Sequence, residues 1–212
     1  ELQGAITALQ EKVASLDLGF TMKEIEELLT GIEDGAQRTT AIVKGLRIFS
    51  RMDGNEASKA NINELLESTS VILRSSFREE ASVMLELSPD DTVVMCQSGK
   101  LNQVFMNLIS NAVQATVMSG KPFAEREVRV RTRRVMQGEV ASVQVAIADN
   151  GVGMDEDTQA QIFDPFFTTK EVGEGTGLGL SIVKGILDDH RATLELESKP
   201  GKGTTFLITF PA

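Results

Sequence analysis

Three stretches between residues 149 and 180 decide the fold: DNGVGM (149–154), IFDPFFTTK (162–170) and GEGTGLGL (173–180). Val143, Val145, Ile147 and Asp149 share one parity, so in a strand they point to one face. That face is apolar, which leaves Asp149 as a carboxylate on the core side in need of a donor. The exocyclic amine of a purine is such a donor. Gly151 and Gly153 come directly after it and allow the backbone to approach a flat ligand closely. Gly173, Gly175, Gly177 and Gly179 alternate before an apolar helix from Leu178 to Leu187. Glycines at a helix N-terminus let several N–H groups face an anion, with the helix dipole adding to them. Lys170 lies between the two glycine groups as a point cation for a phosphate. Taken alone, residues 173–179 also read as a flexible loop.

The chain of 212 residues allows one large or two small domains. Hydrophobic residues make up 41%, with no Trp or Tyr, so the core is aliphatic with Phe and Met. A net charge of −10 argues against nucleic acid or an anionic membrane as partner. An anionic ligand must then be held by local donors. The single Cys96 excludes an intramolecular disulfide and reads as strand core. No apolar run approaches the ~18–20 residues of a membrane span, and no signal peptide is visible. The expected location is cytoplasmic, for a free chain or for the cytoplasmic part of a membrane-anchored one.

Residues 1–17 are predicted as a helix on the spacing of Leu2, Ile6, Leu9, Val13 and Leu16. A longer helix is expected over 22–51, where Ile25, Leu28, Ile32, Gly35, Thr39, Ile42, Leu46 and Phe49 form an a/d seam. Ala36 and Val43 widen that stripe, which suits a four-helix bundle made by two chains. The alternative is a two-helix arm folded on its own domain. A polar linker is expected over 53–60. Asn61 or Asn63 caps a helix to about Ser75. Residues 82–87 and 92–96 are predicted strands around the turn Pro89–Asp91. A helix from Ser98 buries Leu101, Val104, Phe105, Leu108, Ile109, Ala112 and Val113, with Asn107 and Asn111 beside that stripe. An amide oxygen such as that of Asn111 suits a metal or a hydrogen-bond partner. Strands are expected at about 126–136 and 140–149, with Arg126, Arg129, Arg131, Arg133 and Arg134 as a solvated basic face. A helix at 177–189 and strands at 192–197 and 203–210 complete the chain. His190, the only histidine, is expected to be structural.

These residues resemble the sensor histidine kinases of two-component systems. Asn107-x-x-x-Asn111 is similar to that family's N box and Asp149-x-Gly151-x-Gly153 to its G1 box. Phe163-Asp-Pro-Phe-Phe167 is similar to the F box, and Gly175-Thr-Gly-Leu-Gly-Leu180 to G2. Gly203-Thr-Thr-Phe206 resembles the closing strand motif, and residues 42–51 the second helix of the dimerisation and phosphoacceptor hairpin. The resemblance implies an α+β chain. Residues 1–52 would be a helical hairpin, N-terminally incomplete, that forms a dimeric four-helix bundle. Residues 61–212 would be an α/β sandwich of the Bergerat, or GHKL, ATP-binding type.

It further implies ATP and Mg²⁺ as cofactors. Asp149 would accept from the adenine amine with Thr204 nearby, and Asn111 would bind Mg²⁺. Lys170 and the backbone of Gly175, Thr176, Gly177, Leu178 and Gly179 would hold phosphates. Gly151, Gly153, Met154 and Leu180 would line the nucleotide, and Phe163 and Phe167 anchor the lid. The implied partners are a second copy of the chain and a response-regulator receiver domain. Related ATPases of the gyrase and Hsp90 type resemble this chain but carry Glu at the place of Asn107. An amide there is no general base, which favours phosphoryl transfer over hydrolysis. Residues 1–50 contain no His, and Glu1-Leu2 resembles the acid and apolar residue on the C-terminal side of the family's acceptor His. The expectation is an acceptor His just before Glu1, with Glu1 as the acid that polarises it. Gly4, where an amide or hydroxyl is frequent, argues against strong phosphatase action. The other readings are a serine kinase of the anti-sigma type and a non-catalytic phosphotransfer scaffold.

Overall fold

The computed structural model describes residues 57–77, 80–137, 140–170 and 175–211, and before them Gly4, Ile6, Phe20, 22–26, Leu28, Leu29, Gly31 and Ile32. Two compact units divide the chain, Glu1–Arg51 and Met52–Ala212. In the first unit every described position is helical, and Ile25, Leu28 and Ile32 are exposed. The rest of the helices expected over 1–17 and 22–51, with Glu1, lies outside the described residues.

The second unit is a five-stranded mixed sheet under helices. Its elements are β1 (Ser58–Asn61), α1 (Ile62–Phe77), β2 (Ser82–Glu86), β3 (Val93–Cys96), α2 (Ser98–Met118), β4 (Glu127–Gln137) and β5 (Val140–Asp149). Then come α3 (Glu156–Gln161), α4 (Gly179–Asp189), β6 (Thr193–Lys199) and β7 (Gly203–Pro211). The large sheet runs β2-β4-β5-β7-β6, with β2 parallel to β4 and the other pairs antiparallel. Its inner face offers Val128, Val130, Val143, Val145, Ile147, Phe206, Ile208 and Phe210, all buried. Against it lies α2, whose buried positions are the seven of the expected stripe plus Thr116. Phe105 of α2 meets Phe210 edge-on with ring centres 6.5 Å apart.

Both strands predicted around Pro89–Asp91 are present, but they do not pair with each other: β2 joins β4, and β3 forms a separate pair with β1. The reason lies at Ser88, whose N–H donates to Thr132 and whose carbonyl accepts from the Asn63 amide. Those bonds turn the chain off the sheet before Asp91 caps the Val93 N–H. The linker expected over 53–60 also gives way at Ser58, because β3 needs a partner for its backbone. Asn61 is the residue that caps α1, its side chain accepting from the Asn63 N–H at 2.9 Å. The short helix α3, absent from the expected elements, is capped by Asp155 at the Thr158 N–H.

Three expectations about single side chains and the basic strand hold. Cys96 is buried, and burial pushes its thiol pKa up. Arg129 and Arg131 pair with Glu86, so the basic strand is a balanced, solvated face. His190 accepts from the Gln97 N–H at 3.0 Å through Nε2, while Nδ1 lies 2.7 Å from the Ile186 carbonyl. Arg191 comes next with φ +54°, the left-handed turn that ends α4.

Candidate nucleotide-binding site

A cavity of about 390 Å³ opens between α2, the end of β5, α3 and the segment that leads into α4. Of the expected contacts, Asn107, Asn111, Asp149, Gly153, Met154 and Phe167 line it. So do Lys170, Gly175, Thr176, Gly177, Gly179, Leu180 and Thr204. Gly151, Phe163 and Leu178 do not line it, and Gly173 lies outside the described residues. Phe163 is partly buried and packs on the core beside the cavity.

The length of α2 sets the scale of the site. Asn107 donates from Nδ2 to the Gly179 carbonyl at 3.4 Å. Asn111 meets the Lys170 ammonium, and Ala115 lies against Gly151. With a rise of about 1.5 Å per residue, the step from Asn107 to Ala115 is roughly 12 Å. The Asp149 end and the Gly179 start of α4 are thus separated along one rigid rod, and Lys170 meets it between them.

At the Asp149 end the carboxylate has partners already. Its Oδ1 accepts from the Gly151 N–H at 2.8 Å and the Thr204 N–H at 3.3 Å. The donor that a core-side carboxylate needs is thus supplied in part by the turn itself, through two backbone N–H groups. Burial pushes the Asp149 pKa up to about 6, while the two N–H groups and the charge of Lys121 pull it back. The glycines also face the chain itself. A Cβ on Gly151 would lie 2.4 Å from the Ala115 carbonyl carbon, and one on Gly153, at φ +65°, would lie 2.0 Å from the Lys199 carbonyl oxygen. These glycines admit the protein's own backbone, and Gly153 lines the cavity as well. Ile162, Phe206 and Met118 add apolar walls suited to a flat base.

At the other end the Lys170 ammonium is 3.5 Å from Asn111 Oδ1 and in short contact with Gln114 Oε1. Gln114 is the polar residue that sequence reading missed. Its signal was spacing: Asn107, Asn111 and Gln114 are four and three apart and so share one helix face. The loop ahead of α4 turns at Gly177, φ +65°, and its carbonyl accepts from the Phe166 N–H at 2.9 Å. Phe166 itself has φ +70° and is exposed. The N-terminus of α4 has no side-chain cap, which keeps its N–H groups for an anion.

No group of three His, Cys, Asp or Glu able to hold a metal occurs among the described residues. The donor set at this end is amide oxygen. Such a set suits a hard cation that takes most of its oxygens from phosphates and water. Asn111 fits that role, and the residues present are compatible with Mg²⁺ arriving with a nucleotide.

Residues 96–212, more than half of the chain, match the family described as histidine kinase-, DNA gyrase B-, and HSP90-like ATPase. The chain belongs to this family, and within it to the sensor histidine kinases. It is 30% identical to the signal transduction histidine-protein kinase AtoS of Escherichia coli over 212 residues, all of this chain and 33% of that protein. The catalytic domain of the histidine kinase ThkA is similar in structure, with a TM-score of 0.61 and 28% identity over 74% of this chain and 95% of that one. ThkA in complex with the response regulator TrrA has a TM-score of 0.60 and 26% identity, covering 85% of this chain and 49% of that one. The chain spans a third or less of the first curated relatives it matches, at 33%, 20% and 28% of their lengths. The fold is therefore that of a GHKL-type ATP-binding domain. No helix among the described residues is long and apolar enough to cross a membrane.

Proposed function

We propose that the chain is the ATP-dependent core of a protein histidine kinase that phosphorylates a histidine and passes the phosphoryl group to an aspartate of a response regulator. The observation that carries this reading is the charge inventory of the cavity. Among the described residues its one carboxylate is Asp149, already engaged with the turn at the base end, and its one cation is Lys170. Beside Asn111 the described lining residues are Asn107, Ser110 and Gln114, amides and a hydroxyl that are no base for water. Asn107 spends its amide on the Gly179 carbonyl and cannot act as a base. Such a site positions and neutralises a triphosphate without promoting its hydrolysis, and phosphoryl transfer needs little more.

In this reading Asp149 and Thr204 select the base. Lys170, Thr176 and the backbone from Gly175 to Gly179 hold the phosphates, and Asn111 holds Mg²⁺. The metal would supply charge neutralisation across the phosphates. Met154, Phe167 and Leu180 enclose the nucleotide, while Gly151, Phe163 and Leu178 support it from behind. The hairpin over 1–52 would form the dimer interface. The exposure of Ile25, Leu28 and Ile32, three positions of one seam, supports a second copy as the partner of that face. The phosphoacceptor would precede Glu1, with Glu1 polarising its ring.

The test is labelling with γ-labelled ATP and Mg²⁺ on the chain as it stands and on a form extended about 20 residues upstream. Acid-labile, alkali-stable label on the extended form alone is the expected result. ATP binding by both with label on neither would point to a scaffold or to a kinase of a separate protein.

A further inference from the structure

Gln114 is not among the motif residues, yet it is the side chain that meets the functional cation of the cavity. It projects from α2 one turn beyond Asn111, and its Oε1 is in short contact with Lys170 Nζ. Asn111 Oδ1 stands 3.5 Å from the same ammonium. The lysine stem is fixed by its own loop. Its N–H donates to Thr168 Oγ1 at 3.2 Å, and a Cβ on Gly175 would lie 3.1 Å from Lys170 Cδ and 2.7 Å from Thr168 Oγ1. The loop therefore threads the stem past Gly175, and α2 receives its tip.

We propose that Gln114 is a positioning residue for phosphate binding: its amide oxygen tethers Lys170 to α2, so that the cation is aimed by a rigid helix and not by its loop alone. This rests on the nucleotide-site reading above. The chemistry of the pair fits the task. A neutral amide oxygen attracts an ammonium without cancelling its charge, so the positive field at the cavity survives. A carboxylate in the same place would capture the ammonium and repel phosphate. A phosphate oxygen, being charged, out-competes an amide for the ammonium protons, so Lys170 can shift toward a nucleotide with little cost. Asn111 shares the ammonium with Gln114, which ties the cation and the candidate metal ligand to one helix face.

Two substitutions with opposite expectations test this. Gln114→Leu keeps the volume and removes the acceptor. Gln114→Glu keeps the shape and adds charge. Hydrogen exchange is read at the amides of Phe167 to Lys170 in the protein by itself. Gln114→Leu is expected to speed exchange about fivefold, the factor for losing one net hydrogen bond, and Gln114→Glu to slow it. ADP affinity, read by calorimetry, is expected to fall in both, and further in Gln114→Glu. A purely structural role for Gln114 would speed exchange in both variants and give no such split. Exchange at the wild-type rate in both, or faster in both, overturns the proposal. Adenosine binding by the unsubstituted protein tests the nucleotide reading separately. Its absence would count against that reading, while the exchange data would still decide on Gln114.

Discussion

A methyl group on Gly153 would stand 2.0 Å from the Lys199 carbonyl oxygen, whereas one on Gly179 would stand 3.8 Å from the Asn107 amide. The two glycines look alike in the sequence, each inside a glycine-rich run beside an apolar element. Their surroundings differ in kind. Around Asp149 the chain is locked on itself: Gly151 on Ala115, Gly153 on Lys199, and Gly203, at φ +94°, with its Cβ position 2.0 Å from the Asp149 carbonyl oxygen. Around Lys170 a single backbone lock remains, Gly177 on Phe166, and the other contacts are mostly between side chains or from side chains to single backbone atoms. The base end is built as a fixed frame and the phosphate end as an adjustable one. That division suits a reaction in which the base stays put while the phosphates change.

The largest effect is expected where the frame is tightest. Gly153→Ala adds left-handed strain to a clash with backbone that cannot give way. The cost should exceed about 3 kcal/mol, summing strain and overpacking. Urea unfolding of the second unit reads it directly. A cost under about 1 kcal/mol would mean that the turn has slack, and the contrast between the two ends would fail.

Asp149 offers a sharper test, because two of its properties should move in opposite directions. Asp149→Asn keeps an acceptor for the Gly151 and Thr204 N–H groups but loses the charge that would receive an amine. Adenosine affinity should fall by about 10–100-fold, the worth of a hydrogen bond to a charged group. In the wild type the carboxyl titrates near 6, raised from 3.8 by burial. Below pH about 6, adenosine affinity should drop by about tenfold per pH unit as the acceptor is protonated. Folding stability has the other sign. A group with a raised folded pKa contributes stability that is fully present below its unfolded value of 3.8 and is lost as pH rises through about 6. Calorimetry and urea titration between pH 4 and 8 should therefore diverge, and Asp149→Asn should flatten both trends.

The contrast also explains what was legible in the sequence. The apolar parity of β5 and the stripe of α2 are long and periodic, so the sheet, the central helix and the position of Asp149 at a strand end could be read directly. The five motifs carried the family. Partners of short strands could not be read, because four residues of Ser58–Asn61 or Val93–Cys96 carry too little alternation to choose a neighbour. The capping bonds of Ser88 that steer the chain involve Thr132 and Asn63, both distant in sequence. The backbone contacts of Gly151 and Gly153 were hidden for the same reason. A glycine reports that something comes close, and only the fold reveals that the visitor is Ala115 or Lys199. Gln114 was visible by spacing but had no motif to single it out.

The smallest effect belongs to the adjustable end, where Gly177 and Gly179 should separate. Gly177 has φ +65°, and a Cβ there would lie 2.3 Å from the Phe166 carbonyl carbon. Gly177→Ala meets the same strain and a similar clash as Gly153→Ala, so it should cost about 3 kcal/mol or more if the backbone stays in place and roughly 1–3 kcal/mol if the loop yields. A loop able to yield would move the N–H groups that face the phosphates, so ADP affinity should fall while adenosine affinity holds. Gly179 begins α4 with ordinary helical geometry, and its Cβ position makes only van der Waals contact with the Asn107 amide at 3.8 Å. Gly179→Ala should change stability by no more than about 0.5–1 kcal/mol, and in the favourable direction, since alanine restricts the unfolded chain. If Gly179→Ala nonetheless weakens ADP but not adenosine, the glycine serves the approach of an anion to the helix start. If it weakens neither, the run is glycine-rich for the sake of the Gly177 turn alone.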